Sequence, residues 1–207
     1  HVALIYIDEK TNKPWLVEAH IEKGVAIASV EDYIKDKKLR FMVLRPRFDL
    51  PELKADSLLP QKAAKLAFEE AVKRHIPYDF KMDYSDTTAM FCSEVGSYAY
   101  KKYSLQLWKP VSTISSTGVS NWLHDFGVEY FVTQMPADLE YDPQLVVAGE
   151  WKDPETLFKD HADNAVMDAL ITEADKGREI GYNRWMLPVA RVIKGYCMVL
   201  NLFGRHG

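Results

Sequence analysis

The spacing of apolar residues changes along the chain, and this change predicts an α+β fold. Short apolar runs at residues 2–7, 15–20, 25–28 and 39–44 are typical of strands and together predict an antiparallel sheet. From residue 60 to 75 the apolar side chains instead recur at the period of an amphipathic helix. Because residues 2–7 are almost uniformly apolar, we expect that strand to be buried on both faces.

A second helix is predicted at residues 91–103, and Cys92 falls within one turn of its start. A cysteine is nucleophilic as the thiolate, and a helix N-terminus both lowers the thiol pKa and presents N–H groups that stabilise an oxyanion. The alternative is a small buried residue at a helix start, which is the commoner role of a free cysteine.

Candidate bases for this thiol lie on the first two predicted strands. If Ile7 pairs with Pro14 across a hairpin, Glu18 lies on the same face as His1 and close enough to hold its imidazole in one tautomer. A shift of one residue in the pairing would separate them. His20 shares the face of Glu18 and is the rival base.

Composition and motifs exclude several other classes of function. The chain has 26 basic and 30 acidic residues, a net charge of −4, and no long basic run, so we expect no nucleic-acid partner. Its two cysteines, Cys92 and Cys197, are too few for a disulfide framework or a cysteine-rich zinc site. No His-Glu-x-x-His, Cys-x-x-Cys pair or calcium loop is present. The sequence therefore predicts no metal and no cofactor, and a packing role for Cys197.

The rest of the chain is predicted to complete the sheet and add a helical extension. Residues 104–127 have the composition of a connecting loop, and strands are expected at 130–132 and 145–148. A helix is predicted from Asp153 to near Gly177, and a strongly apolar one at 184–202. That last helix is interpreted as packed, with a membrane-surface or partner-binding face as the alternative. We divide the chain into a catalytic domain, 1–150, and a helical C-terminal extension, 151–207.

Several short motifs, taken in order, resemble the circularly permuted papain-like amidases of the NlpC superfamily. In these enzymes the histidine precedes the cysteine, the reverse of the order in ordinary papain-like enzymes. The motifs are an apolar strand opened by His1, Leu16-Val17-Glu18-Ala19, Gly24-Val25, Pro77-Tyr78-Asp79 and Phe91-Cys92-Ser93-Glu94.

The resemblance implies a role for each matching residue. Cys92 is the nucleophile, His1 the general base, Glu18 the residue that orients the imidazole, and Tyr78 a residue lining the substrate site. The implied fold is an antiparallel sheet packed against the cysteine-bearing helix, preceded by a strand upstream of His1. The implied reaction, without a cofactor, is hydrolysis of an amide in a cell-wall peptide or amino-acid conjugate through a thioacyl-enzyme.

Two alternatives to the amidase prediction remain open at the level of sequence. Relatives in the wider group act on lipid esters or transfer acyl chains, and the apolar segment 184–202 favours such a thiol-dependent lipid hydrolase or acyltransferase. The other alternative is an inactive relative that only binds peptide or lipid. The resemblance implies a periplasmic, secreted or cell-envelope location, and the oligomeric state is left open.

Overall fold

A computed structural model describes residues 1–35 and 40–178, with a few single positions between 185 and 199. The predicted helix at 184–202 and the packing role of Cys197 lie outside the described residues. Seven strands and seven helical segments are described. In chain order they are β1 (Ala3–Ile7), β2 (Pro14–His20), β3 (Gly24–Ser29), α1 (Val30–Lys35), β4 (Arg40–Pro46), α2 (Pro51–Ala55), α3 (Leu59–Lys73), α4 (Cys92–Lys101), β5 (Ser112–Thr113), α5 (Thr117–His124), β6 (Val132–Thr133), a 3-10 helix (Pro136–Tyr141), β7 (Leu145–Lys152) and α6 (Pro154–Asp175).

The first three strands form an antiparallel sheet in the order β1-β2-β3. Ile7 pairs with Pro14 and Ala3 with Glu18, so the hairpin register assumed in the sequence analysis is confirmed. β2 is the central strand, and four of its residues are buried in succession. Glu18 and His20 therefore belong to the most buried strand of the sheet.

The prediction that the first strand is buried on both faces is wrong. One face of β1 packs on α3, where Tyr6 lies with its ring centroid 4.8 Å from that of Phe68. Ile5 and Ile7 point the other way and are 44% and 37% exposed. β1 is an edge strand with α3 and α4 packed against it, and its uniform apolar composition did not show that Ile5 and Ile7 remain exposed in the described part of the chain.

The later strands do not complete this sheet, contrary to prediction. β4 pairs antiparallel with β7 in a separate two-stranded ribbon, and β5 pairs with β6 in another. Residues 39–44 and 145–148 were correctly recognised as strands, but their partners were not. β7 continues to Lys152, beyond the division placed after residue 150, and that division stays a prediction.

Helices α3, α4 and α6 agree with the predicted segments, whereas α5 lies in a stretch predicted as loop. α5 begins at a serine cap, where the hydroxyl of Ser116 accepts a hydrogen bond from the N–H of Val119. It packs on α6, and a Cβ at Gly118 would lie 2.7 Å from the Cβ of Ala174. Within the described part of the chain, no helix combines the length and apolarity needed to cross a bilayer.

The hydrophobic core lies between α3, α4 and the three-stranded sheet, which confirms the α+β class and the packing of the cysteine-bearing helix on the sheet. α4 packs against both β1 and β2. The most deeply buried apolar side chains of this core are Val17, Ala19, Ala63, Ile76, Met90, Ala99, Leu105 and Trp108. Because the core holds α4 against β1 and β2, it also fixes the distance between the start of α4 and the residues on those strands.

Candidate active site

Cys92 is the first residue of α4. The chain enters the helix through Phe91, which is extended with φ −94° and ψ 174°, and the N–H of Phe91 donates to Oε2 of Glu94 at 3.4 Å. The free N–H groups of the first turn therefore lie beside the half-buried thiol, as a helix start requires. This is the position that the sequence predicted for Cys92.

His1 connects the thiol to a buried carboxylate. Its Nε2 lies 2.7 Å from Oε2 of Glu18, which is only 3% exposed, and its imidazole lies close enough to the thiol of Cys92 for each group to shift the pKa of the other. Since Nε2 is bonded to Glu18, Nδ1 is the ring nitrogen left for the sulfur. The hydrogen bonds with Cys92 first and Glu18 second raise the pKa of His1 to about 9, against the opposing effect of burial.

The same contacts act in the opposite direction on the thiol. Burial raises the pKa of Cys92, but the hydrogen bond and charge of His1, with smaller contributions from the N–H of Val2 and the hydroxyl of Ser93, hold that pKa below its usual value. A lowered thiol pKa beside a raised imidazole pKa favours a thiolate–imidazolium pair. This is the activated form of a cysteine nucleophile.

Glu18 is shared between two histidines. Its second oxygen, Oε1, lies 2.9 Å from Nε2 of His20, and the two imidazole centroids are 5.6 Å apart. Burial raises the pKa of Glu18, but the hydrogen bonds with His1 and His20 bring it below its usual value. The carboxylate is therefore ionised. Both candidate bases reach Glu18, and the one that lowers the pKa of the thiol is His1.

An open cleft of about 450 Å³ adjoins these groups, and Tyr78 forms part of its wall. Burial first, and then the charges of Cys92 and Asp79, raise the pKa of Tyr78, so its hydroxyl stays neutral beside the thiol. The substrate-binding role predicted for Tyr78 stays a prediction, and the structure places the side chain in the wall of this cleft. The cleft is lined by His1, Ala19, His20, Ile21, Glu22, Lys23 and Tyr78.

Sequence reasoning missed two parts of this environment. Tyr33 on α1 is close enough that the charges of Glu18 and Cys92, after burial, raise its pKa, but α1 itself was not predicted. The turn between β2 and β3 also borders the cleft and places Glu22 and Lys23 there. Neither has a recognisable local motif, and only the strand register and the placement of α1 bring them to the thiol.

Three side chains that bind metal ions also meet here. A ring nitrogen of His1, a ring nitrogen of His20 and a carboxylate oxygen of Glu18 all lie within 4.8 Å of one another. The sequence predicts no metal site because the motifs considered are local, whereas these donors meet across two paired strands. Two imidazoles and a carboxylate are a common ligand set for transition metals, so the residues present fit such an ion.

Glu94, two residues after Cys92, is a buried carboxyl group. It is 1% exposed, and its Oε1 has no hydrogen-bond partner among the described residues. Burial and the nearby carboxylates of Asp79, Asp83 and Asp86 raise its pKa to about 9, although the N–H of Phe91 opposes this. Glu94 is therefore protonated at neutral pH, and this neutral form is the one that the core accommodates.

We expect Glu94→Gln to flatten the pH dependence of stability. The pKa of Glu94 in the folded state lies above its unfolded value of about 4.3. Protonated Glu94 therefore contributes its full stabilisation of the folded protein below about pH 4.3, and this stabilisation is lost as the pH rises through 9. Glutamine does not titrate. The Tm of the variant minus that of the wild type should therefore increase steadily from pH 5 to pH 9, as measured by circular dichroism.

The matched control for this prediction is Glu69→Gln, at an exposed position on α3. Its Tm difference from the wild type should stay constant over the same pH range. A Tm difference for Glu94→Gln that is equally constant would show that Glu94 is ionised in the folded protein.

Comparison with known proteins adds a structural neighbour. The crystal structure of the metalloprotein YiiX from Escherichia coli O157:H7 has a TM-score of 0.54 and 19% sequence identity, covering 72% of this chain and 81% of that one. At this identity the likeness concerns the fold. No curated protein matches the sequence.

A family match accounts for most of the chain. Residues 1–147 match the permuted papain-like amidase enzymes of the YaeF/YiiX type, the C92 family, and this range contains Cys92, His1 and Glu18. The wider NlpC grouping stays a prediction. The permuted fold and the general class of cysteine hydrolase agree with the thiol, imidazole and carboxylate described above. The chain belongs to the C92 family of permuted papain-like amidases.

Proposed function

We propose that this chain hydrolyses an amide bond through a thioacyl-enzyme, with Cys92 as nucleophile, His1 as general base and acid, and Glu18 as the residue that orients His1. The observation that supports this most strongly is the juxtaposition of the three groups, since the His1 imidazole lies 2.7 Å from a buried, ionised carboxylate and lowers the pKa of the neighbouring Cys92 thiol. A nucleophile, a base and a group that orients the base are the parts that covalent acyl transfer needs.

The reaction follows from the positions of these groups. The sulfur attacks the amide carbonyl carbon, and the oxyanion lies near the N–H groups at the start of α4. When the C–N bond breaks, the imidazolium of His1 gives its proton to the leaving amine. A water molecule then loses a proton to His1 and attacks the thioester, which releases the carboxylic acid and restores the thiol.

The cleft favours a polar substrate, namely a small peptide or an amino-acid conjugate such as a cell-wall peptide. Glu22 and Lys23 border it, and no ion pair of either residue is found in the described part of the chain. Charged groups at a cleft bind charged or zwitterionic ends of a ligand more readily than an acyl chain. The segment that favoured a lipid substrate, 184–202, lies outside the described residues.

The experiment that tests the proposal traps the intermediate. The wild-type protein is mixed with muropeptides, N-acyl amino acids and phospholipid vesicles in parallel, quenched in acid, and analysed as intact protein and peptides by mass spectrometry. We expect an acyl adduct on Cys92 and release of an amine with the amide substrates. An adduct formed only from phospholipid would favour a lipid hydrolase or acyltransferase. Binding of a ligand without any adduct would favour an inactive relative.

The two histidines are expected to differ in their contribution to the rate. His1→Ala should lower kcat/KM by about a thousand-fold, because it removes the group that takes and returns the proton. His20→Asn removes a hydrogen bond to Glu18 but leaves the pair of His1 and Cys92, so the loss should be no more than about ten-fold. Both values come from steady-state kinetics on the amide that forms the adduct.

Thermal unfolding of both variants serves as the control, since a fall in Tm would show a defect in folding instead of chemistry. The assignment of His1 as the base is contradicted if the loss of activity follows His20 and the His1 variant keeps the wild-type rate.

A further inference from the structure

We propose that His1, Glu18 and His20 bind one Zn²⁺ ion and that this ion reversibly inhibits the enzyme. Binding of the ion depends on the ligand geometry alone, whereas its inhibitory effect rests on the proposed function. The site joins the start of β1 to β2, since His1 lies two residues before the first residue of β1 and both Glu18 and His20 belong to β2.

The three donors already lie within 4.8 Å of one another. Nε2 of His1 and Nε2 of His20 each face a different oxygen of the same carboxylate, at 2.7 Å and 2.9 Å. Zinc binds nitrogen and oxygen donors at about 2.0–2.2 Å, which places neighbouring donors roughly 3.3 Å apart in a tetrahedral site. The side chains therefore need only small movements to change from donating protons to Glu18 to sharing a cation with it.

Charge and access both favour a divalent cation. Glu18 is an ionised carboxylate inside the protein, and its present partners are two imidazole nitrogens. The side chains of His1 and His20 are 37% and 41% exposed, and both line the open cleft, so an ion enters from solvent. Neutral imidazole and carboxylate donors suit Zn²⁺ better than Mg²⁺ or Ca²⁺, which prefer oxygen.

A metal on Nε2 prevents His1 from acting as a base. When the lone pair of Nε2 is given to zinc, the remaining ring proton must be on Nδ1, which is the nitrogen that faces Cys92. Such a ring cannot accept a proton from the thiol or from water, and it gives up its own proton only by becoming an anion. Both histidine ligands also line the cleft, so the bound ion borders it. Amide hydrolysis should therefore stop while zinc is bound.

Binding is measured on the Cys92→Ala protein, because the missing thiol removes the other strong zinc ligand of the site. Isothermal titration calorimetry with ZnCl₂ should give one ion per chain. Adding His20→Asn to that protein should weaken binding by at least about ten-fold. In parallel, zinc should inhibit amide hydrolysis by the wild type, EDTA should restore it, and His20→Asn should shift the inhibition midpoint by the same factor. Zinc-edge X-ray absorption of the wild type should show nitrogen and oxygen ligands without sulfur.

Several results would overturn the proposal and can be told apart from failure of the proposed function. Equal zinc affinity with and without His20, a sulfur ligand in the absorption spectrum, or faster hydrolysis with zinc each contradicts the inhibitory site. Because the X-ray absorption spectrum is recorded on the wild type, it tests the ligand set even if the variant with both Cys92→Ala and His20→Asn fails to fold. Stoichiometric, His20-dependent binding in a protein that hydrolyses no amide would retain the metal site and reject the amidase.

Discussion

Cys92→Ala is expected to lower amide hydrolysis by about ten thousand-fold or more, because a covalent mechanism cannot proceed without its nucleophile. The side chain removed is the thiol at the start of α4 whose pKa His1 lowers. Alanine keeps the helix start and removes a single sulfur atom at a half-buried position. The measurement is kcat/KM on the amide that acylates the wild type, together with loss of the adduct in the mass spectrum.

Cys92→Ser is the matched variant, since it keeps a hydroxyl of similar size at the same place. Its rate should also be very low, because a serine hydroxyl is far less acidic than a thiol and His1 is arranged for a thiolate. Both variants should unfold within a few degrees of the wild type. Turnover by Cys92→Ala that stays within about ten-fold of the wild type would mean that another group carries the reaction.

The arrangement of the candidate site could be predicted from the sequence to the extent that strand geometry determines it. Once Ile7 is paired with Pro14, the alternation of side chains along a strand puts His1 and Glu18 on one face, and the structure has this register. The helix that begins with Cys92 follows from its 3.6-residue period. These inferences depend on neighbours close in sequence, where hydrophobic pattern carries the information.

Interactions between distant segments could not be predicted in the same way. Residues 40–46 and 145–152 have strand composition, but an apolar run does not identify its partner, and the two segments pair with each other outside the first sheet. The convergence of His1, Glu18 and His20 as one set of metal-binding side chains was not recognised either, because the metal motifs considered in the sequence are local. α5 was missed because its Ser- and Thr-rich sequence resembles a loop, although one of those serines caps the helix.

The second large effect concerns Gly24, at the start of β3 beside the candidate site. Its φ of +69° lies in the left-handed region, and a Cβ there would overlap the carbonyl oxygen of Ile76. That oxygen accepts a hydrogen bond from the N–H of Val25 at 2.8 Å. The close approach at Gly24 therefore anchors the segment that leads through Pro77 to Tyr78 in the wall of the cleft.

We expect Gly24→Ala to reduce the free energy of unfolding by about 3 kcal/mol, from backbone strain and overlap together. For a chain of this size that corresponds to a fall in Tm of roughly 6–12 °C, measured by calorimetry. Gly149→Ala is the matched control, because a Cβ there meets nothing within 4 Å and its Tm should stay close to that of the wild type. Since the carbonyl of Ile76 must move to admit the methyl group, the KM of any active fraction should rise as Tyr78 is displaced. Equal Tm values for the two alanine variants would show that the backbone at Gly24 adapts without strain, and that Tyr78 is held in the cleft by other contacts.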